Sequence, residues 1–254
     1  MLQHALRTVR DGLLGLAYPE ECRVCGGAVE SWDDGVACAA CWNDANVTKF
    51  IHGSVCAKCG VPTSRTVAGA QPSRPKAGSR LCGMCSALPF AAARACGVYS
   101  GALEVSILFL KVNPHICSRL RSLIARTFSE HREALASEVV VPVPLHRLRE
   151  KQRGFNQAAI IAKAISGKFN LQLDDHSLVR TKPTERHRAG LDATDRAKSV
   201  DRAFAVSKPR LIAGASVLLV DDVYTTGSTI SAAARSLLEA GARQVNVLTI
   251  ARVG

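Results

Sequence analysis

The sequence predicts an α/β protein: a parallel sheet flanked by helices over residues 91–254, preceded by a small cysteine-rich domain over residues 22–90. Three observations predict it. Four Cys-x-x-Cys pairs crowd into the first third of the chain. Short runs of branched apolar residues then alternate with helix-length stretches, the order that builds right-handed strand–helix–strand units and a doubly wound sheet. Hydrophobic residues make up 47% of the 254 and aromatics only 5%, so a sizeable core can form and must be built from Ala, Leu, Val and Ile.

Residues 1–21 come first. Leu2, Leu6, Val9, Leu13 and Leu16 recur at helical spacing, which predicts a short amphipathic helix. Arg7, Arg10 and Asp11 interrupt what a secretory signal would keep apolar. Such a helix docks on its own domain or, in the sharper reading, on a membrane surface or partner. No apolar run approaches the roughly 18 residues of a membrane span, so no integral membrane segment is expected. The expected location is cytoplasmic, with any membrane association peripheral and through partners.

The cysteine pairs are Cys22/Cys25, Cys38/Cys41, Cys56/Cys59 and Cys82/Cys85, with 12, 14 and 22 residues between successive pairs. Two residues between cysteines let one tight turn aim both thiolates at a tetrahedral ion, and two such knuckles complete a four-cysteine site. A disulfide scaffold or redox-active pairs would use the same spacing in other settings. Without a secretory signal the pairs point to structural Zn2+, up to two ions, because a segment so poor in large apolar residues cannot build a core alone. Sequential pairing is the simplest arrangement, with Cys22, Cys25, Cys38 and Cys41 on one ion and Cys56, Cys59, Cys82 and Cys85 on the other; an interleaved pairing fits the spacing too. Cys96 and Cys117 lack a partner at ligand spacing and read as small buried residues. Residues 62–80, rich in Pro, Ser, Gly and basic side chains, read as a flexible excursion inside the second ribbon.

From residue 91 the expected elements are a strand over Ala95–Ser100, helices over Ala102–Leu110 and Ile116–Glu130, and a buried strand over Val139–Val143. A helix over Asn156–Phe169, a buried strand over Ser216–Val220, a helix over Thr229–Ala240 stopped by Gly241, and a last strand over Val245–Ala251 follow. Ligands of such sheets lie beyond the carboxyl ends of the strands. Net charge is +2 for residues 1–90 and +10 for residues 91–254, so a polyanion or a phosphorylated small molecule is the natural partner.

The most informative stretch follows the strand at 216–220. Asp221 and Asp222 are succeeded by Val223, Tyr224, Thr225, Thr226, Gly227, Ser228 and Thr229, and a helix opens there. Helix N-terminal amides among Thr and Ser hydroxyls form a phosphate cradle, and glycine lets the backbone approach the phosphate closely. Two carboxylates would repel a phosphate unless they address another part of the same ligand. A sugar 5′-phosphate meets that requirement, with ribose hydroxyls on the acids. No Lys follows the glycine as a Walker loop requires.

Leu218–Thr229 resembles the phosphoribosyl pyrophosphate (PRPP) signature of type I phosphoribosyltransferases. The wider chain resembles the ComF family of competence-associated proteins. The likeness runs through the cysteine pairs, Ile107-Leu108-Phe109-Leu110-Lys111, Val141-Pro142-Val143-Pro144-Leu145-His146-Arg147, Arg153-Gly154-Phe155-Asn156-Gln157, Arg188-Ala189-Gly190-Leu191, Arg196 and the signature loop. It implies a type I phosphoribosyltransferase-like sheet after a double zinc ribbon. It also implies Asp221 and Asp222 as the ribose-binding acids of the catalytic site, residues 223–229 around the 5′-phosphate, and a pyrophosphate loop at Pro144 and Leu145. Lys111, Arg147 and Arg153 are candidates to neutralise the pyrophosphate, or else solvated surface charges. Asn156 and Gln157 cap the following helix, orient that loop, or both. Residues 180–202, with seven basic and four acidic side chains, read as a flap over an anionic ligand or as a solvated loop. Val112, Glu185 and Ser199 stand where the family often has Tyr, Gln and Asn.

PRPP chemistry requires Mg2+ chelated by pyrophosphate and ribose oxygens, a positive cradle for the leaving group and an acceptor nucleophile placed against C1′. Family members acting on 6-oxopurines carry Asp at the fifth signature position; Thr225 stands there, which disfavours purine salvage. Three roles remain: a PRPP-site protein serving DNA uptake by binding single-stranded DNA and competence-machinery proteins, a phosphoribosyltransferase with an unnamed acceptor, and a PRPP-sensing regulator. Single-strand binders usually offer aromatic stacking platforms, and two Trp with three Tyr are few. DNA contact therefore rests on charge and resemblance, with Arg119, Arg121 and Arg126 of the basic helix as the preferred surface.

Overall fold

The computed structural model describes residues 21–31, 35–44, 55–62, 82, 85, 87–182 and 203–253. The expected N-terminal helix up to residue 20, the excursion from residue 63 to 80, and the basic flap from residue 183 to 202 lie outside the described residues.

The centre is a five-stranded, wholly parallel sheet. Its strands are β1 (Ala92–Val98), β2 (Val139–Pro142), β3 (Gln172–Leu173), β6 (Ser216–Tyr224) and β7 (Gln244–Arg252), in the spatial order β1-β7-β6-β2-β3. A separate antiparallel pair joins β4 (Leu178–Arg180) to β5 (Phe204–Val206). Helices α2 (Gly101–Leu110), α3 (Ser118–Glu130), α4 (Arg147–Arg153), α5 (Gln157–Phe169) and α6 (Ser228–Glu239) connect them, and a four-residue helix α1 (Ala39–Trp42) belongs to the first ribbon.

The core divides by strand parity, as a period-2 backbone requires. Val140, Leu218, Val220, Leu248 and Ile250 face α2, α3 and α5, packing on Leu103, Ile107, Leu120, Ile124, Ile161 and Ile165. Val139, Val141, Val217, Leu219, Val245 and Val247 face the other way, onto Ile230, Ala233, Ala234 and Leu237 of α6. Both faces are covered, which is why β2 and Val217–Val220 of β6 read as unbroken apolar runs. Trp42, Ala37 and Cys38 of the first ribbon join the α2–α3 side of the core. Cys96 and Cys117 are buried, as expected. Among the described residues, no helix is long and apolar enough to cross a membrane.

Three differences from the sequence reading have physical causes. Strand β6 does not stop at Val220 but runs on to Tyr224, because its pairing with β7 continues through Asp221↔Thr249 and Val223↔Ala251 to Tyr224↔Arg252. Asp221, Asp222, Val223 and Tyr224 are therefore strand residues rather than loop residues. Helix α4 was not expected: it buries no side chain and so has no apolar period, and it is held by its ends. His146 Nδ1 accepts from the Leu148 amide, and Gly154 closes the helix at φ +83°. Strands β3, β4 and β5 are two or three residues long, below the length at which alternation can register.

Candidate functional site

The site is assembled at the carboxyl ends of β6 and β2. Asp222, 8% exposed, sits on β6 with its Oδ1 accepting the Val223 amide at 2.8 Å. Its Oδ2 receives two donors from distant parts of the chain: Gln157 Nε2 at 3.2 Å and Lys111 Nζ at 3.5 Å. Arg153 in turn donates through Nη1 to Gln157 Oε1, one helical turn earlier in sequence. Lys111 is placed by the C-cap of α2 and Gln157 by the first position of α5. Asn156 both caps and orients. Its Oδ1 accepts the Ala158 amide at 3.0 Å, and its Nδ2 donates to the Val143 carbonyl at 3.0 Å, tying α5 to the loop after β2.

Asp221, one residue earlier, projects from the opposite face of β6 by strand alternation. Burial, then the adjoining Asp222 charge, pushes its carboxyl well above the usual carboxylate range, against a smaller pull from Arg180. The Arg180 guanidinium lies over the Phe204 ring at 5.1 Å, at the root of the β4–β5 pair. Two neighbouring acids thus meet different partners: Asp222 a lysine and an amide, Asp221 the like charge of Asp222 and the pull of Arg180.

Beyond Tyr224 the chain turns sharply. Thr225 and Thr226 are exposed, Gly227 is the N-cap of α6, and Ser228 and Thr229 form its first turn. Thr226 Oγ1 lies 3.0 Å from Ser228 Oγ and also accepts the Ser228 amide at 3.4 Å. Gly227 offers no capping side chain and no acid stands in the first turn, so the helix N-terminus presents its amides to an incoming anion. Gly227 takes φ +77°, and a Cβ there would meet the Tyr224 hydroxyl and lie 2.7 Å from its Cζ, so only glycine fits.

Of the other expected residues, Pro144 and Leu145 are half-buried after β2, and Arg147 is exposed in α4. Arg147 takes no part in the network around Asp222; Lys111 and Arg153 do. Tyr224 is 4% exposed, with its ring edge-on to Phe90 and under the Arg252 guanidinium at 4.3 Å. Its side chain lines the underside of the turn. The sequence marks Gln157 only as a helix cap or loop-orienting residue; its place in the Arg153–Gln157 motif and its four-residue spacing from Arg153 are the signals of more.

The cysteines gather sequentially into two groups, Cys22, Cys25, Cys38, Cys41 and Cys56, Cys59, Cys82, Cys85, each with its Sγ atoms within 4.8 Å of one another. No interleaving occurs. The Cys38 amide donates to Cys22 Sγ at 3.3 Å and the Cys82 amide to Cys56 Sγ at 3.2 Å. Burial raises the Cys22 thiol, but amides of Cys38, Cys25 and Val24 outweigh it and bring it down to about 6. Amides of Cys82, Cys59 and Lys58 do the same for Cys56, again to about 6. Four thiols converging on one point, with backbone N–H groups stabilising thiolate, is the donor set a structural Zn2+ takes, and both clusters fit one ion each.

Residues 123–254 match the model of a phosphoribosyl transferase domain, and residues 13–86 that of a double zinc ribbon domain. The chain is 30% identical over 245 residues to a DNA utilization protein of Escherichia coli strain K12, covering 93% of this chain and 99% of that one. It is 34% identical over 137 residues to competence protein F of Haemophilus influenzae, covering 53% of this chain and 59% of that protein's length. Competence protein ComFC of Bacillus subtilis is 34% identical over 118 residues, 45% of this chain and 44% of that one. Among solved structures, a glutamine PRPP amidotransferase from B. subtilis complexed with ADP and GMP overlaps 51% of this chain and 25% of its own at TM-score 0.34 and 20% identity, too slight a likeness to add to the family match.

Proposed function

The chain belongs to the ComF family, and from that premise we propose that it binds PRPP with Mg2+ at the β6–α6 turn and serves DNA uptake by handling single-stranded DNA together with competence-machinery proteins. The observation that carries the reading is the meeting of Lys111 and Gln157 on Asp222, beside a helix N-terminus opened by Gly227. In this reading the 5′-phosphate lies on the amides and hydroxyls of Thr225–Thr229. The ribose hydroxyls take Asp221 and Asp222. Binding transfers Lys111 from Asp222 toward the pyrophosphate, with Arg153 and the loop of Pro144, Leu145 and Arg147 on its other side. Mg2+ held with PRPP beside Asp221 and Asp222 would supply charge neutralisation for the pyrophosphate leaving group. The domain limits follow the same reading: ribbons to residue 90, the PRPP domain from 91, in a cytoplasmic protein that meets the membrane only through partners.

The exposed side chains Arg121 and Arg126 of α3 support the DNA contact, while Arg119 is half-buried and Arg121 also donates to the Ile116 carbonyl at 3.3 Å. Changing all three arginines to Gln is expected to weaken single-strand binding and flatten its log–log salt slope by up to about 2 units, with PRPP affinity intact. Fluorescence anisotropy measures both. No binding by the parent protein at low salt would end the nucleic-acid role.

Phosphoribosyl transfer to an acceptor is the second reading, favoured by the paired acids in unlike environments. Thr225 supplies no base where purine-salvage members carry Asp, so the acceptor would attack C1′ without a side chain at that position to take its proton. Pyrophosphate release from PRPP and Mg2+ with a panel of bases, amines and DNA decides between binding and turnover.

A further inference from the structure

The second cysteine cluster is fastened to the sheet through its own backbone. Three consecutive carbonyls of the Cys56–Cys59 knuckle are each taken by a donor of β1 or β7. Arg94 Nη2 donates to the Ala57 carbonyl at 3.0 Å, the Ala93 amide to Lys58 at 2.6 Å, and Arg252 Nη1 to Cys59 at 2.6 Å. Gly60, at φ +70°, lies so close that a Cβ would strike the Ala93 carbonyl. Arg94 is itself buried. In a zinc knuckle the amides turn toward the sulfurs, as the Cys82 amide does toward Cys56, and the carbonyls turn outward; here the sheet captures that outward row.

One of these anchors also reaches the anion site. The Arg252 guanidinium that holds the Cys59 carbonyl lies 4.3 Å above the Tyr224 ring. The Tyr224 hydroxyl end fills the space that a Cβ on Gly227 would need, so the ring is the floor of the turn. The Tyr224 carbonyl accepts the Val253 amide at 2.9 Å, which fastens the same residue to the end of β7. A continuous path therefore runs from cluster to cradle: Cys59 carbonyl, Arg252, Tyr224, Gly227.

We propose that Arg252 and Tyr224 are positioning residues that couple metal occupancy of the Cys56, Cys59, Cys82, Cys85 cluster to the shape of the Thr225–Thr229 cradle, so that loss of this ion loosens phosphate binding. The proposal rests on the reading of that turn as the 5′-phosphate site. The physical link is geometric. Metal holds the knuckle carbonyl in place, the carbonyl holds the guanidinium over the ring, and the ring holds Gly227 in its left-handed conformation. Half-buried Arg252, on losing its carbonyl, must find another acceptor, and the ring beneath it loses its cover.

The test reads the turn directly. Hydrogen exchange of the amides at 225–230, measured by mass spectrometry on the full chain, is expected to speed up about 10-fold in Arg252→Met, which keeps every cysteine. Cys85→Ser, with one zinc equivalent lost by elemental analysis, is expected to do the same. Arg243→Met, at the far end of β7, is the control and leaves the turn unchanged. Calorimetric PRPP affinity is expected to fall in parallel, by about 10-fold in Arg252→Met. Unaltered exchange at 225–230 in Arg252→Met, or in a folded Cys85→Ser that has lost its ion, overturns the coupling. If the parent protein binds no PRPP, the function reading fails while the exchange result still decides the coupling.

Discussion

Gln157 Nε2 donates to Asp222 Oδ2 at 3.2 Å across 65 residues of sequence, and Lys111 Nζ stands 3.5 Å from the same oxygen. A carboxylate that faces the ligand side of a parallel sheet is thereby held in one rotamer by an amide that is itself held by Arg153. The acid is preorganised in the folded chain.

Asp222→Asn removes the charge that Lys111 answers and the acceptor a ribose hydroxyl would use. Thr226→Val removes the hydroxyl at the mouth of the helix. Each is expected to lower PRPP affinity by roughly 10- to 150-fold, the worth of about 1.5–3 kcal/mol for a hydrogen bond to a charged group. Calorimetry with Mg2+ present measures it. Wild-type affinity in both variants would remove the site from this turn.

Gly227→Ala forces a non-glycine residue to φ +77° and drives its Cβ into the Tyr224 ring. Destabilisation of about 2–4 kcal/mol is expected from the left-handed backbone and the overpacking together. The double variant with Tyr224→Phe, which removes the nearest atom, should recover part of that loss. Equal stability of the single variant and the parent in urea would contradict the geometry.

Asp221 gives the protein a pH dependence of a particular sign. Its folded pKa is raised above the unfolded value, chiefly by burial and then by Asp222. The folded state therefore binds the extra proton, and stability falls as pH climbs from the ordinary carboxylate range toward the raised value. Asp221→Asn abolishes that penalty, so its stability relative to the parent should rise as pH climbs out of the ordinary carboxylate range, from about pH 4 upward. A constant difference across that window, by denaturant unfolding, would show that Asp221 ionises normally.

Zinc analysis should return close to two ions per chain, because both clusters gather four thiols. Cys25→Ser, in the first cluster, should cost one ion, and stripping both with a strong chelator should unfold the ribbons while the sheet core survives. One ion in the parent protein would mean that one thiol cluster forms without metal.

Much of this molecule is legible without coordinates. Val139–Val141 and Val217–Val220 announce buried parallel strands because both sheet faces are covered and no polar alternation is needed. The cysteine spacing announces two metal sites because a knuckle is a local structure, complete within four residues. The Asp221–Thr229 stretch announces a phosphate turn for the same reason: strand end, glycine and helix start are contiguous in sequence. Helix α4 and strands β3 to β5 were invisible, since they are too short or too exposed to carry a period. So was the extension of β6 through both aspartates, which depends on how far β7 runs alongside it. The pairing of cysteines, the choice of Gln157 and Lys111 as partners of Asp222, and the seating of the knuckle on Arg94 and Arg252 are long-range facts. They are decided by which segments the folded sheet brings within about 3 Å of each other, and residues far apart in sequence carry no local pattern that would announce such a meeting.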